Sequence, residues 1–394
     1  MLQHMRNWIL PEYIEDVLPA EAARIEQLRR GLLDLFRVHG YQYVIPPLLE
    51  YLESLITGVG HDLDLATFKV VDQISGRLMG VRADMTPQAA RMDAHMLNNK
   101  GVTRLCYAGS VLRTQADGLA QTREPLQVGV ELFGHAGVES DIEIQGLMVK
   151  ALQLMDVQSL HVDFNHVGIF ASLVNQGRIT APLEQALHAA LRNKDSTSVS
   201  SLTEGMDDAI RSALMVLVEL NGDITVLNAA RKSLPPTAEI EHAIDDLTRA
   251  GEYMASLGVS ACFDLAELRG YHYHSGMVFA AYAQGYAGPL ALGGRYDEVG
   301  SAFGRARPAT GFSLDLRGIV TAMAPAEREK GILAPAGQEA GMVRKIEELR
   351  TSGEIVVQEL PGHEEHRVEL NCDRKLVKQG DGWQVVAAPE LINQ

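Results

Sequence analysis

The strongest constraint on the fold of this 394-residue chain is a series of strand-like runs joined by short connections. Residues 67–72 and 77–82 flank Ser75-Gly76, a pattern typical of a β-hairpin. Residues 104–115 and 126–133 follow, separated by one polar segment. Strands this close in sequence pair antiparallel, because parallel pairs need long crossover connections. We therefore predict an α+β fold in which an antiparallel sheet is flanked by helices.

Local signals predict two further elements in the first hundred residues. Tyr41–Ile45 is an aromatic and β-branched run that Pro46 and Pro47 stop, which indicates a strand at a sheet edge or an interface. Thr86-Pro87 predicts the start of a helix, with the threonine hydroxyl as its cap and proline at the first helical position.

Between about residues 165 and 257 the sequence changes character, because leucine and isoleucine recur at helical spacing. We interpret this stretch as a helical insertion. Strand-like composition returns at residues 262–268, 277–283 and 310–314, so the sheet is expected to resume there. Gly293–Asp297 is rich in glycine, and we predict a turn at this position.

A Pro/Gly-rich stretch, residues 325–341, separates the last part of the chain. We therefore predict two domains, residues 1–324 with the insertion inside it and a small C-terminal α/β segment at residues 325–394. Alternating residues in this segment, at 356–360, 368–370 and 383–386, predict a small sheet.

Composition excludes several classes of protein. No stretch of eighteen residues is apolar enough to span a membrane. Cys106, Cys262 and Cys372 are far apart and odd in number, so we expect free buried thiols in a cytoplasmic chain, with no bound metal and no cofactor. A net charge of −16 argues against a large nucleic-acid surface, although a net figure can hide a local basic patch.

Five polar side chains in these segments have the chemistry to bind a free amino acid. Asp84 and Thr86 can accept hydrogen bonds from an ammonium group, and Arg269 can pair with a carboxylate. Gln127 and Glu131 are an even number of residues apart on one predicted strand, so they point to the same face. Histidine adds an imidazole, which has one donor and one acceptor when neutral. We predict that this face opens into a pocket.

Several segments, in this combination, resemble the catalytic domain of class II aminoacyl-tRNA synthetases, and specifically histidyl-tRNA synthetase. The similar segments are residues 40–50 for the first class motif, 111–113 and 127–134 for the second, and 81–86, 268–276 and 293–297 for the histidine-specific elements. The resemblance covers residues 6 to about 322. It implies a homodimer, because the first motif lies at the dimer interface in that family.

The resemblance also implies a set of histidine-binding residues. Positions that line the histidine site in the family match Asp84, Thr86, Arg113, Gln127, Glu131 and Arg269. Arg113 adds a second cation to this set. Tyr273 and His274 match the family's Tyr-Tyr pair, so a histidine replaces the second tyrosine, and we expect different contacts to the imidazole.

The residues that an adenylating enzyme needs for ATP are partly missing. The family's Arg-x-Glu pair is Arg113-Thr114-Gln115 here, and the loop at residues 116–121 lacks the usual basic residues. The third motif, normally Gly-Leu-Glu-Arg, matches Asp315–Gly318, which moves its arginine to position 317. One residue on a helix is a rotation of about 100 degrees, so we expect Arg317 to point away from the pocket. The tail is also short for an anticodon-binding domain, and we predict no catalytic residue and no binding of tRNA.

A site that keeps amino-acid ligands and loses nucleotide ligands is typical of a sensor. The pattern is similar to the ATP phosphoribosyltransferase regulatory subunits, a family of synthetase paralogues. This resemblance implies a short-form catalytic subunit as partner, histidine as effector, and a homodimer core within a hetero-oligomer that performs the first step of histidine biosynthesis. Two alternatives stay open, a histidyl-tRNA synthetase that is active despite degenerate motifs and an amino-acid ligase that adenylates without tRNA.

Two other patterns have a more ordinary interpretation. His272 and His274 are predicted on one face of a strand, but no nearby cysteine or carboxylate completes a metal site, so packing is the preferred role. Asp207-Asp208 and Asp245-Asp246 resemble the acid pairs that hold ribose diphosphates in phosphoribosyltransferases. Both pairs lie in helical-period segments, which favours solvated helix faces.

Overall fold

The computed structural model describes residues 9–57, 61–116, 122–271, 273–325 and 327–391. The strands are β1 (Gln42–Tyr43), β2 (Leu49–Tyr51), β3 (Phe68–Val71), β4 (Leu78–Val81), β5 (Thr103–Ser110), β6 (Leu126–Phe133), β7 (Leu160–His166), β8 (Asn221–Gly222), β9 (Ser260–Asp264), β10 (Met277–Ala283), β11 (Ala291–Arg295), β12 (Ala309–Asp315), β13 (Gly331–Ala334), β14 (Val356–Gln358), β15 (Cys372–Gln379) and β16 (Gly382–Ala387).

The α-helices are α1 (Pro19–Val38), α2 (Leu52–Leu55), α3 (His61–Ala66), α4 (Thr86–Arg91), α5 (Val138–Leu154), α6 (Val167–Gln176), α7 (Ala181–Arg192), α8 (Ser196–Leu202), α9 (Asp208–Leu217), α10 (Thr225–Ser233), α11 (Ala238–Ser256), α12 (Leu316–Ala322) and α13 (Ala340–Thr351). A π-helical turn, Met92–Leu97, continues α4, and short 3₁₀ segments lie at Val299–Phe303, Glu364–Leu370 and Pro389–Leu391.

Within the described residues, nine strands form one sheet in the order β1-β5-β6-β12-β11-β10-β7-β9-β8. Its pairs are antiparallel except β1 with β5 and β7 with β9. The predicted antiparallel α+β architecture is therefore confirmed, with parallel pairing added in two places. Tyr41–Ile45 contributes the short edge strand β1, as predicted, and the predicted hairpin is β3–β4.

The alternation of side chains along each strand separates the two faces of this sheet. On one face Val128 and Val130 of β6, Phe164 of β7 and Phe312 of β12 are buried in a core that also contains residues of α5, α6 and α11. The opposite face carries polar and small residues on the same strands, so it is the face that is available for a site.

Several local predictions were wrong. Gly293–Asp297 is not a turn, because residues up to Arg295 belong to β11, where they pair with β10 and β12. Thr86 does not cap α4, since its hydroxyl lies 3.0 Å from the Tyr107 hydroxyl and Asp84 instead accepts from the Thr86 amide at 3.0 Å. The strand predicted at residues 262–268 is β9, which ends at Asp264.

The long helical stretch extends from α6 to α11 and is interrupted only by the two-residue strand β8 in the described part of the chain. It therefore starts two residues later than predicted, because residues 165 and 166 belong to β7. Cys106 and Cys372 are free and buried as predicted, whereas Cys262 is only half-buried. His272 lies outside the described residues, and His274 lies three residues before β10, not on a strand.

The structure divides into two compact units, one of Met1–Val17 and Arg24–Ala324, the other of Leu18–Ala23 and Pro325–Gln394. The second contains a four-stranded sheet in the order β14-β13-β15-β16, and α13 buries Met342 and Ile346 against it. The predicted strand at residues 368–370 is wrong, since these residues lie in a 3₁₀ segment, and β15 was not predicted. Among the described helices, none has the length and apolar character that crossing a membrane requires.

Candidate functional site

The polar face of the nine-stranded sheet opens into a cavity of about 320 Å³. All eight residues that the sequence indicated line it, although they come from distant parts of the chain. They are Asp84, Thr86, Arg113, Gln127, Glu131, Arg269, Tyr273 and His274. The structure therefore brings the whole predicted set into one place.

Asp84 is fixed at one end of the cavity by hydrogen bonds to one of its two oxygens. Its Oδ1 accepts from the Thr86 amide at 3.0 Å and from Gln127 Nε2 at 2.7 Å. Gln127 is itself held, because its Oε1 accepts from the Met85 amide at 2.9 Å and its Nε2 also donates to Ser313 Oγ at 3.2 Å. The structure thus uses the amide of Gln127 mainly to position Asp84, and no described residue occupies the second Asp84 oxygen, which leaves it for a ligand.

Glu131 is a buried carboxyl group, with 1% of the residue exposed. Two phenols bind it, since Tyr107 donates to Oε1 at 2.8 Å and Tyr296 donates to Oε2. Burial raises the pKa of Glu131 to about 8, against the lowering effect of the two tyrosine hydroxyls. Burial also raises the pKa of both tyrosines well above the ordinary value, so they stay protonated donors.

Two glycines make the room that this carboxyl group needs. A Cβ atom at Gly311 of β12 would lie 1.8 Å from Glu131 Oε2, and one at Gly129 of β6 would lie 2.6 Å from the Tyr107 hydroxyl. Both distances are far below van der Waals contact, so the arrangement around Glu131 requires glycine at these two positions.

Aromatic rings form one wall of the cavity. Tyr273 stacks on Tyr296 with ring centroids 5.5 Å apart, and the buried Tyr273 hydroxyl has no hydrogen-bond partner among the residues that the structure describes. The His274 ring covers Gly294, where a Cβ atom would lie 2.6 Å from His274 Cδ2. Burial lowers the pKa of His274 to about 4, so its imidazole is neutral at physiological pH.

Both cations that the sequence indicated face the cavity with little or no internal pairing. The guanidinium of Arg269 has no hydrogen-bond or ion-pair partner in the part of the chain that the structure describes. Arg113 makes one long hydrogen bond, from Nε to the Ala83 carbonyl at 3.4 Å. Two guanidinium groups are therefore available to an anionic ligand group.

Polar residues of the cavity that were not predicted include Asp163, Asn165, Asp264 and Glu267. Their alternation with apolar residues, as in Val162-Asp163-Phe164-Asn165, was a signal that could have indicated a polar strand face. Burial raises the pKa of the Asp163 carboxyl.

Arg317 is not among the residues that line the cavity. Its Nη2 donates to the Glu15 carbonyl at 2.6 Å, and its Nη1 lies 3.9 Å from the Glu124 carboxylate. The predicted displacement of this arginine is therefore confirmed. Gln115 is exposed, and the following loop at residues 117–121 lies outside the described residues.

Comparison with known proteins connects this geometry to a family. The family described as "Histidyl-tRNA synthetase" matches residues 13–319, and the "ATP phosphoribosyltransferase subunit HisZ C-terminal domain" matches residues 329–386. An ATP phosphoribosyltransferase regulatory subunit from Methylobacillus flagellatus is 65% identical over 98% of this chain and 100% of its own length. The chain belongs to the family of ATP phosphoribosyltransferase regulatory subunits.

Other members of this regulatory-subunit family are also close. The protein of that name from Cupriavidus necator is 54% identical over 96% of this chain and 99% of its own length. A crystal structure from Bacillus halodurans, titled as an ATP phosphoribosyltransferase regulatory subunit/histidyl-tRNA synthetase, is 28% identical, covers 93% of this chain and 97% of its own, and superposes with a TM-score of 0.82.

Histidyl-tRNA synthetase from Nostoc shares the fold of this regulatory-subunit family member. It covers 98% of each chain with a TM-score of 0.78, at 16% identity. The predicted class II synthetase architecture is therefore confirmed, while the sequence places the chain with the regulatory subunits.

Proposed function

We propose that this chain is a noncatalytic regulatory subunit of ATP phosphoribosyltransferase, required for the first step of histidine biosynthesis, and that its cavity binds histidine as the feedback effector. The observation that carries the proposal is the convergence of all eight predicted residues on one cavity that offers acceptors at one place and guanidinium groups at another. A pocket for a free amino acid needs both, because the ligand carries an ammonium and a carboxylate.

The ammonium and carboxylate groups of histidine have matching partners. Asp84 has one oxygen to which no described residue donates and is held in place by Gln127, so it is suited to accept from the ammonium. The guanidinium of Arg269, which pairs with no described residue, is suited to bind the carboxylate through two charge-assisted hydrogen bonds, with Arg113 as a second cation.

Glu131 and Tyr273 supply the chemistry that an imidazole requires. A neutral imidazole has one donor and one acceptor nitrogen. With a pKa of about 8, Glu131 is mostly protonated at pH 7 and can donate to the acceptor nitrogen. The Tyr273 hydroxyl has no partner within the described parts of the chain, so it can accept from the donor nitrogen. An apolar side chain of similar size would leave both groups unsatisfied, which opposes its binding.

A noncatalytic role agrees with the positions of the residues that would hold ATP. Arg317 binds the Glu15 carbonyl instead of facing the cavity, and a glutamine stands at position 115. Without fixed cations around the phosphates an adenylating enzyme lacks its main source of rate enhancement.

Assembly into a homodimer through the first-motif region is part of the proposal. Apolar side chains near β1 and β2 are exposed in the single chain, namely Tyr43, Ile45, Leu48 and Leu49. Exposed apolar clusters of this kind mark protein interfaces.

We further propose that the chain forms a cytoplasmic hetero-oligomer with a short-form catalytic subunit and does not bind tRNA. We also propose two domains, at residues 1–324 and 325–394. A separate core around α13 supports this division.

The first test is a calorimetric titration of the purified chain with histidine and then with ATP, followed by an assay of pyrophosphate exchange with both present. We expect saturable histidine binding and no exchange. Steady histidine-dependent exchange would mean that the chain is a working synthetase, and absence of histidine binding would remove the effector from the proposal.

Arg269→Ala tests the position of the carboxylate within the cavity. Loss of the charge-assisted pair should weaken histidine binding by about 1.5–3 kcal/mol, which is roughly tenfold to a hundredfold in Kd. Arg344→Ala, at an exposed position on α13, is the matched control and should leave the affinity unchanged. Equal affinities for the two variants would contradict the assignment of Arg269.

A further inference from the structure

Arg295 is a buried arginine whose side chain lies on the face of the sheet opposite the cavity. It follows Gly294 on β11, and Gly294 lines the cavity, so the alternation along the strand directs the Arg295 side chain toward α5. Only 7% of Arg295 is exposed. Its Nε and Nη2 donate to Asp141 Oδ2 of α5 at 3.1 and 2.8 Å, in a buried ion pair. The guanidinium is therefore separated from the cavity by its own strand.

Every nitrogen of the Arg295 guanidinium has an acceptor. Nη1 donates to the His135 carbonyl at 3.1 Å and to Asp297 Oδ1 at 3.3 Å. Besides Asp141, Nη2 donates to the Gly137 carbonyl at 3.2 Å and to Ser140 Oγ at 2.8 Å. A planar group with fixed donors in this many directions holds its side chain in one orientation, which the ammonium of a lysine does not reproduce. The stem of this arginine is therefore a rigid support for the residues that pack on it.

A short segment of the cavity wall, residues 273–276, packs on Arg295. The Ser275 amide donates to the Arg295 carbonyl at 2.8 Å. A Cβ atom at Gly276 would lie 2.9 Å from Arg295 Cδ, so the backbone of the segment lies directly against the arginine stem. The Ser275 hydroxyl accepts from the Asp297 amide at 2.9 Å, and Asp297 also binds the guanidinium. The segment is thus attached to Arg295 at three points.

The same segment contributes side chains to the cavity. Tyr273 and His274 line it, as does Arg269 a few residues earlier. The amides of Tyr273 and His274 both donate to the Gly270 carbonyl at 2.8 Å, which connects them to the residue that follows Arg269. A displacement of Arg295 is therefore expected to move these three cavity side chains together.

We propose that Arg295 is a positioning residue for the histidine site. Its buried pair with Asp141 fixes residues 273–276 and, through Gly270, places Arg269 in the geometry that histidine requires. This role rests on the proposed function, because it concerns the same cavity. It also makes the affinity for histidine depend on α5, although none of the described α5 residues lines the cavity. A movement of α5 then changes the cavity without contact between α5 and the ligand.

Arg295→Lys tests this role, with Arg307→Lys as the matched control. Arg307 is 8% exposed, and its Nη1 donates to both oxygens of buried Asp93 at 2.9 Å, but neither residue lines the cavity. Hydrogen-exchange mass spectrometry on the full chain without ligand should show the amides of residues 273–276 exchanging at least tenfold faster in Arg295→Lys than in the control or the unmodified chain. Equal exchange in the three proteins would overturn the proposal.

Calorimetric titration with histidine measures the consequence for binding. Arg295→Lys should bind at least tenfold more weakly, whereas Arg307→Lys should bind within about twofold of the unmodified chain, although both replacements disturb a buried ion pair. A double variant with Arg269→Ala separates positioning from general destabilisation. Because Arg295 acts by placing Arg269, its replacement should weaken binding by only about threefold or less once Arg269 is absent. The same factor with and without Arg269 would contradict the positioning role.

Ser275→Ala keeps the proposal testable if circular dichroism shows that Arg295→Lys does not fold. It removes only the hydroxyl that accepts from the Asp297 amide, so exchange at residues 273–276 should rise and histidine affinity should fall, each by about threefold. No change in either would overturn the proposal. Failure of the unmodified chain to bind histidine would count against the proposed function alone, whereas unchanged exchange in folded Arg295→Lys would count against the positioning role alone.

Discussion

At the scale of single residues, the proposed recognition of an imidazole depends on the proton that Glu131 carries. The carboxyl group is buried, and burial raises its pKa to about 8, so below that pH it carries a proton that it can donate. The imidazole of histidine has an ordinary pKa of about 6.5 and is neutral above it. Between these two values the complementary forms of ligand and protein predominate, and binding requires no exchange of protons with solvent.

Glu131→Gln is therefore expected to change the pH dependence of histidine binding. Glutamine keeps a donor but cannot ionise. Above pH 8 the unmodified chain must regain a proton to bind, so its affinity relative to the variant should fall by up to tenfold for each pH unit. Calorimetric titrations from pH 6 to 9.5 measure this ratio. The ammonium of histidine titrates equally in both experiments, so the ratio reports Glu131 alone. A ratio that stays constant or rises above pH 8 would contradict a donor role for the protonated carboxyl.

At the scale of strands and helices, sequence patterns located most elements, but the prediction of a turn at one pair of glycines was wrong. Gly293 and Gly294 were interpreted as a turn, yet they lie in β11 because bulky neighbours cross the strand there. A Cβ atom at Gly293 would meet Phe279 at 2.4 Å, and one at Gly294 would meet His274 at 2.6 Å. Glycine is required both in tight turns and on strands that large side chains cross, so the sequence alone does not distinguish the two.

The candidate site was predictable where one segment carries a recognisable motif, as at residues 81–86 and 268–276. Asp163 and Asn165 were missed because they reach the cavity only through the pairing of β7 with β10, more than a hundred residues later in the chain. Their place in the cavity depends on this long-range contact, which local periodicity does not contain. Gln127 was expected to contact a ligand, and only the structure shows that its amide holds Asp84.

Gly311→Ala tests how closely β12 and β6 are fitted around Glu131. The added Cβ would lie 1.8 Å from Glu131 Oε2 and 2.5 Å from the Val130 carbonyl, so the side chain and the strand must both shift. We expect a loss of about 1–3 kcal/mol in the free energy of unfolding and at least tenfold weaker histidine binding. Urea denaturation and calorimetry measure the two effects. Gly288→Ala is the control, since a Cβ there meets no atom within 4 Å. Similar stability and affinity in both variants would show that the strands adapt easily and that this packing does not position Glu131.

At the scale of the whole molecule, the proposed feedback role requires that histidine bind the active and inhibited assemblies with different affinities. A ligand that binds both assemblies with equal affinity does not change their relative populations. The chain must therefore couple its cavity to the surface that meets the catalytic subunit, and the size of that coupling limits how strongly histidine can inhibit. Histidine could alternatively act at a subunit interface, in which case the cavity residues would not affect inhibition.

The complex with a catalytic subunit separates these two possibilities. With Arg269→Ala in place of the unmodified chain, the catalytic subunit should still be activated, but the histidine concentration for half-maximal inhibition should rise at least tenfold, in proportion to the loss of affinity in the isolated chain. The coupling free energy between the cavity and the catalytic subunit then stays the same, while histidine binds less tightly. ATP phosphoribosyltransferase assays across a histidine series measure this shift, with Arg344→Ala as the control. An unchanged inhibitory concentration, together with weakened binding to the isolated chain, would place the feedback site outside the cavity and assign the cavity a different ligand.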